Sequence, residues 1–202
     1  IAAIMTDHGS AAGRSGVGAV MGAKKLKAVV ARGNQAVPMA DKETVDKLRM
    51  EQIKGWQAPA RGGMSFIERW HKYGTSAMTA NSAHSGDTPV RNWGGAGAVD
   101  VPDVSGLNAD TLLAQVTKPS GCWHCPIACK ALIGEGKGEY KYAGGSRRPE
   151  YETLGAFGVM CGQSNGEAIN MANDICNRAG LDTISAGTVV AFAIECYENG
   201  IL

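Results

Sequence analysis

The sequence predicts an α+β fold in which a glycine-rich segment ending in a β-strand precedes a mainly α-helical region. The strand is predicted at residues 26–33, where an apolar run with two adjacent valines ends at Gly33. The helices are predicted from apolar residues that recur at helical spacing between residues 164 and 200. The 28 glycines among 202 residues exceed the usual share and indicate many tight turns and close backbone approaches.

The middle of the chain begins near Pro38, and we place a domain boundary between residues 36 and 37. Asp41 is the predicted N-cap of the first helix of this part. Residues 55–121 are rich in Gly, Ser and Asn, so we predict mostly irregular structure there, with a short helical stretch at residues 66–70.

The sequence predicts two consecutive helices in the C-terminal part of the chain. Ser164 and Glu167 have the spacing of a capping box, and Gly180 follows the last periodic residue as a stop. Ser185 is the predicted cap of the second helix, which ends before Gly200. Because this second helix is apolar on most faces, we expect it to be buried.

The composition argues against two classes of partner. The formal net charge of +1 gives no electrostatic argument for nucleic acid, and the 6% of aromatic residues offer few platforms for stacked bases. No apolar run reaches the roughly 20 residues of a membrane span. Because the sequence starts without Met and ends as a helical pattern closes, we expect a piece of a longer protein.

The cysteines fall into two groups. Three lie between Cys122 and Cys129, a clustering that suits metal binding better than a disulfide framework. The others, Cys161, Cys176 and Cys196, have apolar surroundings and are predicted to be small buried side chains. Both groups favour a reducing compartment, so we predict a cytoplasmic protein.

Cys122, Cys125 and Cys129 form a C-x₂-C-x₃-C motif, which lets three thiolates converge from one turn. This geometry suits three corners of a [4Fe–4S] cluster, with a fourth ligand expected beyond residue 202 and Cys161 as the competing candidate. Zinc, with His124 or a distant Cys as fourth ligand, is the first alternative. Structural zinc sites usually carry a second Cys or His pair, which this sequence lacks, so the motif favours iron and sulfur.

Residues 11–22 are similar to a dinucleotide-binding fingerprint without matching it. The glycines are spaced G-x-G-x-x-x-G, one residue too long, and the predicted strand follows where the fingerprint needs a helix. What the segment offers is a backbone that a ligand can approach closely, with Arg14 placed to pair with a phosphate. A glycine-rich turn with a surface arginine is the plain alternative.

Four runs resemble the aldehyde:ferredoxin oxidoreductase family, in the same order. They are GRSGVGAVMGAKKLKA at residues 13–28, CPIAC at 125–129, PEYETL at 149–154 and GLDTIS at 180–185. The resemblance implies a tungsten (or molybdenum) bis-pterin (molybdopterin-type) cofactor, Mg²⁺ bridging the pterin phosphates, and a nearby [4Fe–4S] cluster.

The same resemblance implies a domain organisation. Residues 1–36 would be the end of a β-rich N-terminal pterin-binding domain, and residues 37–202 an incomplete helical domain that binds the iron–sulfur cluster and pterin. Ala11, Gly13 and Arg14 match the phosphate and magnesium side of the pterin site, with the Ala11 carbonyl directed to Mg²⁺. Ser10 stands where the family often has Arg.

The remaining site residues also come from the resemblance. Asn177, Leu181 and Asp182 match a pterin-binding D-x-x-G-L-D pattern whose first Asp is Asn here, and a helix cap is the plain alternative for Asp182. Glu152 matches the family's metal-proximal Glu and is the predicted proton-handling residue, with Glu150 as a structural partner. If this stretch is extended, the two carboxylates point to opposite faces, so only one faces the cofactor.

The implied activity is the oxidation of aldehydes to carboxylic acids, with electrons passed through the cluster to ferredoxin or a partner subunit. One alternative is a tungsten-dependent aromatic acyl-CoA reductase of the same family. From a different class, the alternative is a non-catalytic binding module stabilised by iron–sulfur or zinc. The sequence predicts no nucleic-acid partner and leaves both homo- and hetero-oligomers open.

Overall fold

The computed structural model describes residues 1–6, 9–60 and 63–202. The described helices are α1 (Val17–Ala23), α2 (Lys42–Gln57), α3 (Phe66–Tyr73), α4 (Thr79–Ser85), α5 (Gly97–Asp100), α6 (Ala109–Leu113), α7 (Tyr151–Phe157), α8 (Gly166–Ala179) and α9 (Thr183–Glu198). The described strands are β1 (Ile4–Thr6), β2 (Ser10–Ala12), β3 (Val116–Ser120) and β4 (Lys130–Ile133). The predicted α+β class is confirmed.

The strands form two separate antiparallel hairpins, β1–β2 and β3–β4. In the second hairpin Ser120 pairs with Lys130, so the cysteine motif occupies the connection between β3 and β4. We call residues 121–129 the cysteine loop. Ahead of the first hairpin, Ala2 forms an isolated bridge with Leu181, which ties the start of the chain to the α8–α9 connection.

The hydrophobic core lies among the short central helices and the start of the C-terminal helices. Its fully buried members are Ala83, Leu107, Leu154, Val159 and Ile169. Helices α7 and α9 pack closely. A Cβ added at Gly187 of α9 would lie only 2.7 Å from the Ala156 Cβ of α7. This packing fixes α7, which carries Glu152 in its first turn and directly follows Glu150.

The predicted strand at residues 26–33 is wrong. These residues form neither helix nor strand, and Val29 and Val30 are 77% and 90% exposed. A strand needs a partner for its backbone groups, and none pairs with this run within the described ranges. The helix α1 lies in the glycine-rich segment instead, where a Cβ at Gly18 would be 2.3 Å from the Ala2 carbonyl oxygen.

Some of the predicted helix caps are confirmed and others are wrong. Asp41 caps α2 as predicted, since its Oδ1 accepts a hydrogen bond from the Thr44 amide at 3.0 Å. Gly180 ends α8 in the left-handed conformation, at φ 70°, also as predicted. The predicted capping box at Ser164 is wrong, because Asn165 accepts hydrogen bonds from the first-turn amides of α8.

The second predicted cap is wrong for the same reason. Ser185 lies inside α9, and its amide donates at 2.8 Å to Oδ2 of Asp182, which is the true N-cap. The expected burial of this helix is also wrong, since Val189 and Phe192 are 59% and 58% exposed. Small residues such as Ala186 and Ala191 face inward, so the mean apolar character of the helix did not indicate which side is buried.

Residues 55–121 are more regular than predicted. They contain several short helices, and the expected helical stretch at residues 66–70 lies within α3. Ser65 and Glu68 form a reciprocal capping box at its start, which the sequence analysis missed. Within the described ranges, no helix is both long enough and apolar enough to cross a membrane.

Candidate functional site: a polar cleft beside the cysteine loop

A cleft of about 350 Å³ opens where the first hairpin, β4, α7 and the α8–α9 connection meet. Its walls are formed by Gly9, Ser10, Ala11, Lys130, Arg147, Arg148, Glu150, Glu152, Thr153, Asn173, Asn177, Leu181, Asp182, Thr183 and Ile184. Five residues predicted from the sequence lie in this wall, namely Ala11, Glu152, Asn177, Leu181 and Asp182. The cleft therefore brings together positions that are distant in the chain.

Backbone pairing holds the first segment of the chain against the α8–α9 connection. The Ala3 amide donates to the Gly180 carbonyl, and the Asp182 amide donates to the Ile1 carbonyl, both at 2.8 Å. Gly13 is packed against Asp182, because a Cβ added at Gly13 would lie 2.5 Å from Oδ1 of that residue. A side chain at position 13 would therefore press against Asp182.

Asp182 combines its two predicted roles. Its side chain caps α9, as described above, and the residue also lines the cleft while only 6% exposed. Beside it, the hydroxyl oxygens of Thr153 and Thr183 lie 2.7 Å apart and link α7 to the start of α9. The Asp182 carboxylate is thus held in the wall of the cleft by its hydrogen bond to the first turn of α9.

The two glutamates of the PEYETL run both line the cleft, and the expectation that only one faces the cofactor depended on an extended stretch. The premise of an extended stretch fails because Glu150 immediately precedes α7 and Glu152 lies in its first turn. Glu150 accepts a hydrogen bond from the Thr75 hydroxyl, and the same hydroxyl accepts one from the Tyr151 amide at 2.9 Å. Glu152 is exposed, and its side chain makes no hydrogen bond within the described part of the chain.

The cleft also contains cations that the sequence analysis missed. Nζ of Lys130 donates to the Ser10 hydroxyl at 2.6 Å, across 120 positions of sequence. Arg147 donates to the Ser120 hydroxyl, and its carbonyl accepts from Asn173 at 2.8 Å. The available signals were the Lys directly after the last cysteine of the motif and the Arg pair directly before the PEYETL run.

Arg14, the arginine that was predicted at this site, lies elsewhere. It is exposed and is not among the residues that line the cleft. Lys130 instead supplies positive charge on this side of the cleft, where it contacts Ser10.

The cysteine loop adjoins the cleft through β4. The Cys125 amide donates to the Cys122 carbonyl at 3.1 Å, and His124 takes a positive φ of 56°, so the loop turns sharply between these two cysteines. Cys122 is exposed, whereas Cys125 and Cys129 are half-buried. Trp123 is 85% exposed at the tip of the loop, with its ring centroid 3.9 Å from that of His124.

The pKa of the Cys129 thiol is shifted by its surroundings. Burial raises the pKa of the Cys129 thiol, and negative charge at Glu150, Cys125 and Cys122 raises it further. Among the described residues, however, no three His, Cys, Asp or Glu side chains are arranged so that they could hold a metal ion. The donor set has the chemistry of an iron–sulfur site, but the sulfurs are not gathered into one.

The remaining cysteines are held in the helical part of the chain. Cys176 and Cys196 are buried, as predicted. Cys161 is half-buried, and its thiol contacts the carbonyls of Ala156 and Gly187 at 3.3 and 3.7 Å. Burial raises the pKa of the Cys161 thiol to about 11. These contacts give Cys161 a packing role between α7 and α9.

The chain matches two models of one protein family. The model described as aldehyde ferredoxin oxidoreductase, domains 2 and 3, matches residues 54–202, and the model of the N-terminal domain of the same enzymes matches residues 1–33. Tungsten-containing aldehyde ferredoxin oxidoreductases of Pyrococcus furiosus and Thermococcus kodakarensis are 37% and 36% identical, over 98% and 100% of this chain.

A further relative carries a different name. The aliphatic sulfonate oxidoreductase, WOR-like subunit, of Pyrococcus furiosus is 33% identical over the whole chain. The chain spans 31% of the length of each of these relatives. With family models covering most of its residues, the chain belongs to the aldehyde ferredoxin oxidoreductase family.

Proposed function

We propose that the full-length protein oxidises aldehydes to carboxylic acids and that the cleft holds part of a tungsten or molybdenum bis-pterin cofactor. The observation that carries this proposal is the convergence of Ala11, Asn177, Asp182 and Glu152 on one cleft. The names of the relatives, tungsten-containing aldehyde ferredoxin oxidoreductases, support the metal and the substrate class.

The residues of the cleft fit the polar parts of such a cofactor. Lys130 provides a cation for a pterin phosphate, with the Ser10 hydroxyl beside it. Asn177 and Asp182 offer amide and carboxylate groups for the hydrogen-bonding edge of a pterin ring. The Ala11 carbonyl is the proposed Mg²⁺ contact, since Mg²⁺ prefers oxygen ligands. Arg14 keeps its proposed phosphate role only if the cofactor extends beyond this cleft.

We assign proton transfer to Glu152. The bound cofactor supplies the two-electron chemistry, and the chain must accept the protons that aldehyde oxidation releases. Glu152 is the accessible carboxylate of the pair, whereas Glu150 is tied to the Thr75 hydroxyl at the start of α7.

The cysteine loop is the proposed holder of a [4Fe–4S] cluster, through Cys122, Cys125 and Cys129. Metal binding commonly organises its own ligands, so the separated sulfurs of the loop would be gathered as the cluster binds. The cluster would pass electrons singly to ferredoxin or a partner subunit, and the fourth ligand is expected outside this chain. Six free thiols support a reducing compartment such as the cytoplasm.

The test compares the two glutamates in the full-length protein. Glu152→Gln should lower aldehyde turnover by roughly a hundredfold or more, with tungsten or molybdenum, iron and sulfide contents unchanged. Glu43→Gln, on the exposed face of α2, is the matched control. Normal turnover in Glu152→Gln together with loss in Glu150→Gln would assign the role to the other carboxylate. Zinc as the only bound metal would support the non-catalytic module instead.

A second candidate substrate class comes from one relative. The aliphatic sulfonate oxidoreductase, WOR-like subunit, covers the whole chain at 33% identity. Under this alternative the protein would work as one subunit of an assembly that acts on aliphatic sulfonates. Turnover of an aliphatic sulfonate well above that of simple aldehydes, by the same purified protein, would favour it.

A further inference from the structure

We propose that Arg148 is a positioning residue for the cysteine loop, holding the backbone at Cys129 and placing a fixed positive charge beside the cluster. This inference rests on the proposed cluster function of the loop. It assigns a role to an arginine that lies outside the cysteine motif and between the cleft and the loop.

The guanidinium of Arg148 joins two segments of the chain. One of its nitrogens, Nη2, donates to the Cys129 carbonyl at 2.7 Å, and Nη1 donates to the Lys72 carbonyl at 3.0 Å. The Arg148 amide also donates to the Ala131 carbonyl at 2.9 Å. The end of α3 and the exit of the cysteine loop are therefore held together by one side chain, which is itself only 5% exposed.

Gly74 provides an independent sign that this arrangement is specific. It ends α3 at a positive φ of 63°, and a Cβ there would lie 2.2 Å from Arg148 Nη2 and 2.7 Å from the Cys129 carbonyl oxygen. The backbone of α3 thus comes close enough to enclose the guanidinium only because residue 74 has no side chain. A longer residue would displace the hydrogen bond to Cys129.

The charge of Arg148 is retained inside the protein. An arginine remains protonated in proteins, so the guanidinium that donates to the Cys129 carbonyl carries a fixed positive charge, with the Glu150 carboxylate near it. Reduction adds one electron, and hence one negative charge, to a cluster. A fixed positive charge nearby favours this reduced form, with Glu150 offsetting part of the effect.

The test measures the reduction potential of the cluster in the full-length protein. Dithionite supplies the electron, the cluster accepts it, and EPR follows the reduced form. In Arg148→Met the equilibrium constant for one-electron reduction should fall about tenfold, which is a potential about 59 mV more negative. Arg148→Lys keeps the charge and should stay near the parent potential. Arg178→Met, which removes an exposed arginine paired with Asp174, is the control and should leave the potential unchanged.

The outcomes separate this role from a purely structural one. Loss of cluster iron from Arg148→Met, with the pterin metal retained and Arg148→Lys loaded, would support the positioning role. An unchanged potential in loaded Arg148→Met would overturn the proposal, as would joint loss of iron and pterin metal from both Arg148 variants. Parent protein without iron and labile sulfide would instead refute the cluster function of the loop, before any variant is compared.

Discussion

The cysteine loop and the polar cleft lie side by side, but they are built in opposite ways. The three thiols of the loop lie within eight positions of one another in the sequence. Within the described residues they do not form a metal-binding group. The cleft takes its groups from segments more than a hundred positions apart, and these are held in place by direct contacts such as the Lys130–Ser10 hydrogen bond. Closeness in sequence identifies the donors of a site, whereas packing between distant segments fixes its geometry.

The largest expected effect separates the two regions. In the full-length protein, Cys129→Ser should remove nearly all cluster iron and labile sulfide, because a hydroxyl is a poor substitute for a thiolate ligand. The tungsten or molybdenum content should persist, since the cleft does not depend on the thiol. Metal analysis by mass spectrometry measures both.

Cys196→Ala is the control for this substitution, because it removes a buried cysteine of α9. Iron should be retained in it. Full iron occupancy in Cys129→Ser would remove this thiol from the cluster, and parallel loss of pterin metal would mean that the loop and the cleft form one cooperative unit.

The sequence predicted the loop and the cleft to different extents. The C-x₂-C-x₃-C spacing located the loop without any knowledge of the fold, and Asp41 and Gly180 were identified as helix ends because caps depend on a few neighbouring residues. The cleft residues were found only by family resemblance. Lys130, Arg147 and Arg148 were missed because their places beside the cysteine motif and the PEYETL run do not show that they meet a hairpin and a helix far away in the chain.

The errors have the same origin. The strand expected at residues 26–33 was inferred from local composition, but a strand depends on a pairing partner that composition cannot reveal. Similarly, α9 was expected to be buried because it is apolar on average. In the structure the side of α9 that packs against α7 carries small residues, and the larger apolar residues are exposed. Local rules identified some helix caps and missed others, and they did not identify the partners of distant segments.

The next prediction compares the alkylation rate of Cys122 in the cysteine loop with that of Cys161 between α7 and α9. The pKa of Cys161 is raised to about 11 by burial, so at pH 9 only about 1% of this thiol is the reactive thiolate. In iron-free protein, alkylation of Cys161 by iodoacetamide should be about a hundredfold slower than for a fully ionised thiol, and should rise tenfold per pH unit up to about pH 11.

Peptide mass spectrometry after timed alkylation measures this rate for each cysteine. The exposed Cys122 serves as the internal comparison and should react before Cys161 throughout. Equal rates at Cys122 and Cys161 below pH 9 would show that the contact between α7 and α9 opens readily and does not protect Cys161.

A smaller effect tests the contact between Gly13 and Asp182, a residue that lines the cleft. Gly13→Ala would place a methyl group 2.5 Å from Asp182 Oδ1, and overpacking of this kind costs about 1–3 kcal/mol in free energy of unfolding. Gly22→Ala is the matched control, because a Cβ at Gly22 of α1 meets nothing within 4 Å. Alanine in a helix is favoured over glycine by up to about 1 kcal/mol, so the control should be neutral or stabilising.

Denaturant unfolding of both glycine variants in the full-length protein gives the two free energies. If Gly13→Ala were as stable as Gly22→Ala, Gly13 would not be packed tightly against Asp182. The proposed cofactor site would then not depend on this contact.

The smallest expected effect concerns α8, which supplies Asn173 and Asn177 to the cleft. Asn165 accepts hydrogen bonds from the Glu167 and Ala168 amides at 3.0 and 3.1 Å, so Asn165→Ala should lower the free energy of unfolding by about 1 kcal/mol. Ser164→Ala should change it by less than about 0.5 kcal/mol, because Ser164 is not the cap. The two neighbouring substitutions differ only in which residue satisfies the first-turn amides, so thermal unfolding of the pair isolates the cap. The reverse order of stability would restore the capping box that the sequence first predicted. It would also mean that the start of α8, and with it the polar face that this helix presents to the cleft, is set one residue earlier.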